Sequence, residues 1–318
     1  MCTLRPDMTS WKRRALIIGG MVAAAYACAC AYIWTNQVQI IFLPEAAISI
    51  TPDRIGMEYK EVRIPVGDGT DQLHGFWVGD GVEDEVGDAP DSTEAPVVLF
   101  FHGQDTTIGK NLEHTHSMYG LGCRVLLIDY RGFGQSFGTH EPSESMAYED
   151  AQAAWSYLTE VKHIDPSRLF IMGHSLGGAV AIELATRCPD AAGLIVESTF
   201  TSMLDMSGSR HGGLLQLLPM DRLLHQRFDS IGKIGTLEVP VLLIHGKDDA
   251  RIDCVMSERL YTAAREPKDI LLISGADHAN CGFRGRVEYR KKLKKFLDQY
   301  YADKVLISQT RPDRKPND

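Results

Sequence analysis

Six short apolar runs recur along the chain: PVVLFF (96–101), RVLLIDY (124–130), RLFIM (168–172), GLIVES (193–198), VPVLLI (239–244) and DILLIS (269–274). They are rich in β-branched and aromatic residues and apolar on both sides, as strands buried in a parallel sheet are. Upstream, EVRIPV (61–66) and LHGFWV (73–78) alternate instead, with Gly67-Asp68-Gly69 between them, which predicts an antiparallel pair. Between the runs, residues 145–162 carry Met146, Ala153, Ala154, Tyr157, Leu158 and Val161 at roughly helical spacing, and 176–187 and 284–303 also read as helices. Strands alternating with helices predict an α/β fold with a mostly parallel central sheet, helices on both faces and an antiparallel start.

Residues 15–34, ALIIGGMVAAAYACACAYIW, carry no charge, and none follows until Glu45. A 20-residue helix is about 30 Å long, the hydrocarbon thickness of a bilayer. Lys12, Arg13 and Arg14 precede it, and positive flanks stay cytoplasmic, so a single-pass signal-anchor with the rest of the chain exported is expected. A cleaved signal peptide, with small residues from Ala23 to Ala31, and a buried core helix are the competing readings.

Two segments interrupt the rhythm. Residues 80–95 hold seven acids and no base, a solvated loop. Residues 199–236 hold Gly208, Gly212, Gly213, Pro219 and Gly232 together with Leu214, Leu215, Leu217 and Leu218. At 38 residues this insertion is long for a plain connection and predicts a small lid over the C-terminal edge of the sheet, an extra helical excursion with no gating role being the alternative. The formal net charge of −9 argues against a nucleic-acid partner, because phosphate binding needs a basic face. Seven cysteines in 318 residues do not make a disulfide scaffold.

The chemistry concentrates in Gly173-His174-Ser175-Leu176-Gly177. This string follows the apolar run RLFIM and opens the helical stretch AVAIELATR, the strand–turn–helix context in which G-x-S-x-G presents a serine nucleophile. The flanking glycines let a sharp turn close, and the helix N-terminus points partial positive charge at the hydroxyl. A serine hydroxyl is a weak nucleophile, so it needs a base, and the base needs an orienting carboxylate. His278 follows the last strand in Gly275-Ala276-Asp277-His278, and Asp249 follows the preceding one in His245-Gly246-Lys247-Asp248-Asp249. Spacing alone leaves Asp248 and Asp277 as rivals for the carboxylate. Phe101-His102-Gly103-Gln104 follows PVVLFF, and a loop so placed supplies one backbone N–H of an oxyanion hole, from Gln104; the residue after the nucleophile, Leu176, supplies the other. His102 reads as a packing residue. His114 and His116 form an H-x-H pair with no third ligand near in sequence, so no metal is expected.

The combination of F-H-G-Q (101–104), D-Y-R-G-F-G-Q-S (129–136), G-H-S-L-G-G (173–178), H-G-K-D-D (245–249) and G-A-D-H (275–278) resembles the α/β-hydrolase superfamily, and within it the membrane-anchored ABHD-type and serine-aminopeptidase-like branch. The resemblance covers 38–303. It divides the chain into a cytoplasmic N-terminus (1–14), a transmembrane signal-anchor (15–37), an α/β-hydrolase domain (38–303, lid 199–236) and a polar tail (304–318). The branch places its acid at the fourth residue of a G-x-x-D string, which Gly246-Lys247-Asp248-Asp249 matches, selecting Asp249. Gln104 stands where the family usually has Asn, and the backbone N–H role survives that change.

The expected activity is a serine hydrolase that cleaves an ester or thioester of a small or lipid-like acyl substrate, with Ser175, His278 and Asp249 catalytic and no cofactor. A serine aminopeptidase is one alternative, for which Glu197 is a candidate to hold the substrate amine. A non-catalytic binding protein on the same fold is another. In an exported compartment Cys254 and Cys281, close after Asp249 and His278, are candidates for a disulfide stapling the two loops.

Overall fold

The computed structural model describes residues 8–46, 48–79, 95–209 and 217–310. The strands are β1 (Tyr59–Val66), β2 (Asp71–Val78), β3 (Val97–Phe101), β4 (Arg124–Ile128), β5 (Leu169–His174), β6 (Gly193–Glu197), β7 (Val241–Gly246) and β8 (Lys268–Ile273). They form one sheet in the order β1-β2-β4-β3-β5-β6-β7-β8. β1 pairs β2 and β2 pairs β4 antiparallel, and every pairing from β4 to β8 is parallel, so the antiparallel start and parallel body expected from the apolar pattern are both present.

The helices are α1 (Met8–Thr35), α2 (Gln37–Ile41), α3 (Leu112–Tyr119), α4 (Glu144–Ser156), α5 (Leu176–Arg187), α6 (Met203–Ser209), α7 (Met220–Leu223), α8 (Ser230–Ile234), α9 (Val255–Ala263), α10 (Cys281–Arg284) and α11 (Arg286–Thr310). Both faces of the sheet are covered, and strand alternation decides which residue meets which layer. Val97, Leu99 and Phe101 join one apolar cluster with Ala151 of α4, Val180 of α5, Ile234 of α8 and Met256 of α9. Val98 and Phe100 join a second cluster with Leu112 of α3 and Leu293 and Phe296 of α11. A strand apolar on both faces is therefore the requirement of a sheet sandwiched between helices, and β3 is buried at every position.

α1 contains a stretch, Trp11–Thr35, long and apolar enough to cross a membrane, and none of its most apolar window is buried. That removes the core-helix reading: Leu16 is 75% exposed and Val22 63%. α4 continues into a π-helical turn, Tyr157–Val161. α11 runs on to Thr310, beyond the boundary expected near 303. The acidic segment 80–94, Leu214 and Leu215 of the insertion, and residues 311–318 of the tail lie outside the described residues.

The ends of the 199–236 insertion belong to the core, since Thr199, Phe228 and Ile234 are fully buried. Its middle is tied to the N-terminal helices by side chains of Tyr26, Trp34 and Gln37. Gln37, 2% exposed, donates from Nε2 to Leu223 O at 2.8 Å, while its Oε1 accepts from the backbone N–H of His225 at 2.9 Å and of Gln226 at 3.1 Å. Trp34 packs on the His225 ring at 5.3 Å, and Tyr26 Oη donates to Leu217 O at 3.2 Å.

Candidate active site

Ser175 sits between the last residue of β5 and the first of α5 with φ 56° and ψ −119°, a backbone conformation an L-residue adopts only under constraint. The constraint is local packing. A Cβ on Gly173 would lie 2.0 Å from Gly177 O, and one on Gly177 would lie 2.2 Å from Phe101 O. Only glycine at both positions lets strand, turn and helix approach this closely. Backbone bonds hold the turn: Ser175 N donates to Glu197 O at 2.9 Å, and Thr199 Oγ1 donates to Ser175 O at 2.8 Å.

The parallel order β5-β6-β7-β8 brings the C-terminal ends of these strands to one rim, and the loops leaving β7 and β8 carry Asp249 and His278 to Ser175. His278 Nε2 lies 3.0 Å from Ser175 Oγ, and His278 Nδ1 lies 2.8 Å from Asp249 Oδ2. All three residues are buried. The other oxygen of Asp249 accepts from the backbone N–H of Arg251 at 2.7 Å and Ile252 at 2.8 Å, and His245 Nε2 reaches Oδ2 at 3.1 Å. Burial opposes the charge on Asp249, but the hydrogen bonds from His245 and His278 outweigh it and hold the carboxyl far below the usual carboxylate range.

Of the two rivals, Asp277 braces the loops and Asp248 is exposed. Asp277 Oδ1 accepts from the backbone N–H of Ala250 at 3.0 Å and of His278 at 2.7 Å, which fixes the approach of the two loops. Asp248 is exposed, with its N–H on Ala276 O. Gly103 brings the loop after β3 against Ser175, since a Cβ there would lie 3.3 Å from Ser175 Cβ. Gln104 follows it, half-buried, its carbonyl accepting from Leu43 N at 3.1 Å; Leu176 is buried at the start of α5. His102 is buried against Tyr130 and Phe133, and burial lowers its pKa, consistent with packing rather than proton transfer.

Ser175, His278, Asp277 and Gly103 border a cleft of about 390 Å³ that His174, His114 and Asp105 also line, with an Arg251–Asp105 ion pair of 2.9 Å on the exposed rim. The sequence did not single out His245, His174 or Gln37. It also separated His114 from Glu197, which the fold brings together: His114 Nε2 lies 3.2 Å from Glu197 Oε1, and Tyr289 Oη donates to Glu197 Oε2 at 2.7 Å. Glu197 is fully buried, and that burial would raise its pKa, yet the neighbouring His114 pulls it down to about 2. His114 moves the opposite way: burial disfavours its charge, but Glu197 raises its pKa above the ordinary value. Burial, with His114 and His278 nearby, pushes His174 down to about 3, so its ring is neutral. The candidate staple is not formed: Cys254 and Cys281 are both free thiols, and Cys281 is buried with Sγ 3.9 Å from Ser198 Oγ.

Residues 92–227 match the family described as serine aminopeptidase S33. An uncharacterized protein of Mycobacterium tuberculosis is 33% identical over 267 residues, covering 83% of this chain and 88% of that protein. The α/β-hydrolase domain-containing protein WAV2 of Arabidopsis thaliana is 30% identical, over 90% of this chain and 94% of its own length. Among solved structures, the Pyrococcus furiosus esterase Pf2001 aligns with a TM-score of 0.66 at 19% identity, over 82% of this chain and 97% of that one. A puromycin-hydrolyzing peptidase of Mycobacterium tuberculosis aligns with a TM-score of 0.60 at 23% identity, over 77% of this chain and 39% of that one.

Proposed function

Because this chain belongs to the α/β-hydrolase superfamily, we propose that it is a serine hydrolase cleaving the ester or thioester bond of an acyl substrate through an acyl-enzyme. The observation that carries the reading is the continuous hydrogen-bonded path from Asp249 through His278 to Ser175, with spacings of 2.8 and 3.0 Å. Ser175 Oγ attacks the carbonyl carbon while His278 Nε2 takes its proton. Asp249, ionised, accepts from Nδ1–H and stabilises the imidazolium that forms. The backbone N–H groups of Gln104 and Leu176 meet the oxyanion. His278 then returns the proton to the departing alcohol or thiol, and a water, deprotonated by the same imidazole, releases the acid and restores Ser175.

The peptidase reading has the family description behind it, but Glu197, the carboxylate nominated to hold a substrate amine, is fully buried between His114 and Tyr289. That favours ester chemistry. A fluorophosphonate probe is expected to label the wild type and not Ser175→Ala; equal labelling of both removes Ser175 as nucleophile, and no labelling of folded wild type favours a non-catalytic binding role. p-Nitrophenyl esters of rising chain length, run beside aminoacyl anilides, separate the bond classes.

The anchor belongs to the same proposal. α1 spans the bilayer with Lys12, Arg13 and Arg14 on the cytoplasmic side and the hydrolase unit exported. Gln37 joins the base of that anchor to the lid, which supports a substrate delivered at the membrane surface. A C-terminal reporter fused at Asp318 that is active only in the cytoplasm overturns this orientation.

A further inference from the structure

At the wall of the cleft, three side chains from separate elements converge. His114 comes from α3, His174 ends β5, and Glu197, its direct partner in the sheet register, ends β6. One potential ligand atom from each lies within 4.8 Å of the other two. We propose that this cluster binds a single divalent transition-metal ion, Zn²⁺ fitting best, and that occupancy of the site inhibits hydrolysis at Ser175.

Two imidazoles and one carboxylate are the donor set of zinc sites with three protein ligands and an open fourth position. The surroundings already provide what ligands of this type need. His174 Nε2 lies 2.9 Å from the carbonyl of His278; donating there fixes the tautomer and leaves the lone pair on Nδ1. Tyr289 Oη, on the far oxygen of Glu197, is an outer partner that orients the carboxylate. The His114 ring is held by stacking on Phe100 at 5.3 Å, and its buried Nδ1 has no hydrogen-bond partner. Bonds of about 2.0–2.1 Å set ligand atoms about 3.3 Å apart, and with the three atoms within 4.8 Å of one another the widest pair closes by at most about 1.5 Å on binding.

That contraction carries the link to activity. His174 immediately precedes Ser175, and its ring is bonded to the backbone of His278. Drawing His174 toward an ion therefore displaces both partners of the proton transfer, and a 1 Å misplacement costs about 100-fold in rate. The inhibitory half rests on the hydrolase reading; the binding half does not.

The test uses the full chain, purified in detergent, stripped with chelator and titrated calorimetrically with zinc sulfate, with X-ray absorption at the zinc edge. One Zn²⁺ per chain is expected, with two imidazole ligands. His114→Ala and Glu197→Gln should each abolish stoichiometric binding. Tyr289→Phe should weaken it about 10- to 100-fold. Ser175→Ala and His116→Ala, the latter at an exposed position, should bind as the wild type does. A folded wild type that takes up no zinc, or isotherms of His114→Ala and Glu197→Gln that match the wild type, overturns the site. Because Glu197→Gln keeps the side-chain shape, a thermal melt separates lost ligation from lost folding. Saturating zinc should slow p-nitrophenyl ester turnover about 100-fold in the wild type and leave the turnover of Glu197→Gln unaffected. Stoichiometric zinc with undiminished turnover rejects the inhibition. Absent turnover in zinc-free wild type rejects the hydrolase reading while the titration still decides the site.

Discussion

Asp249→Asn tests the proposed orientation of His278 as the base with almost no change in shape. In the native loop one carboxylate oxygen accepts from two backbone N–H groups, those of Arg251 and Ile252, and the other faces His278 Nδ1 and His245 Nε2. Asparagine has one acceptor oxygen and one NH₂ donor. Placing the NH₂ toward Arg251 and Ile252 sets it against two backbone donors, so the amide oxygen takes that side and the NH₂ faces His278. His278 must then accept at Nδ1, which moves its proton to Nε2, and Nε2–H cannot take the proton of Ser175. The cost for a wrong tautomer in a triad is about 10⁴ in kcat, or about 5 kcal/mol of transition-state stabilisation. Steady-state hydrolysis of a p-nitrophenyl ester from pH 6 to 10 reads it, with Ser175→Ala as the floor and Asp248→Asn and Asp277→Asn as comparisons, both staying well above Asp249→Asn. A kcat/KM for Asp249→Asn within tenfold of the wild type would refute the reasoning, because the carboxylate would then not be setting the tautomer.

Gly177→Ala places a methyl 2.2 Å from Phe101 O and 2.6 Å from His102 O, so the loop carrying Gln104 must move; about 1–3 kcal/mol of stability and about 100-fold in activity should be lost, whereas Gly208→Ala, with open space around it, should melt no lower than the wild type. Glu197 is depressed to about 2 from an ordinary value of about 4.3, so the unfolded chain binds a proton that the folded chain refuses in between. Its contribution, up to about 3 kcal/mol, is full above the ordinary value and lost as pH falls toward 2, and Glu197→Gln should flatten that acid limb in urea titrations. Gln37→Ala removes the acceptor for two amides of the 199–236 insertion at about 1 kcal/mol each; exchange at His225 and Gln226 should accelerate about five- to tenfold in hydrogen-exchange mass spectrometry, and unchanged protection would mean the insertion is held by other contacts.

The sequence by itself determined the layered α/β architecture, because strands apolar on both faces have no stable home except between helices, and β3 to β7 fall where those runs lie. It also determined the turn at Ser175, since strand, Gly-x-Ser-x-Gly and helix are contiguous and the steric need for glycine is local. The apolar span of α1 was legible for the same reason: length and the absence of charge are properties of one segment. What only the tertiary structure decided involves partners far apart in the chain. Spacing could not choose among Asp248, Asp249 and Asp277, and only the family resemblance pointed to Asp249; that its Oδ2 lies 2.8 Å from His278 Nδ1 is set by the loops leaving β7 and β8 once those strands pair in register. Nor could it join His114 to Glu197, 83 residues apart, or Gln37 to His225, because each side chain carries only its donors and acceptors. Which of them meet is set by sheet order and helix packing, and a buried polar group then takes the partner the fold leaves within reach.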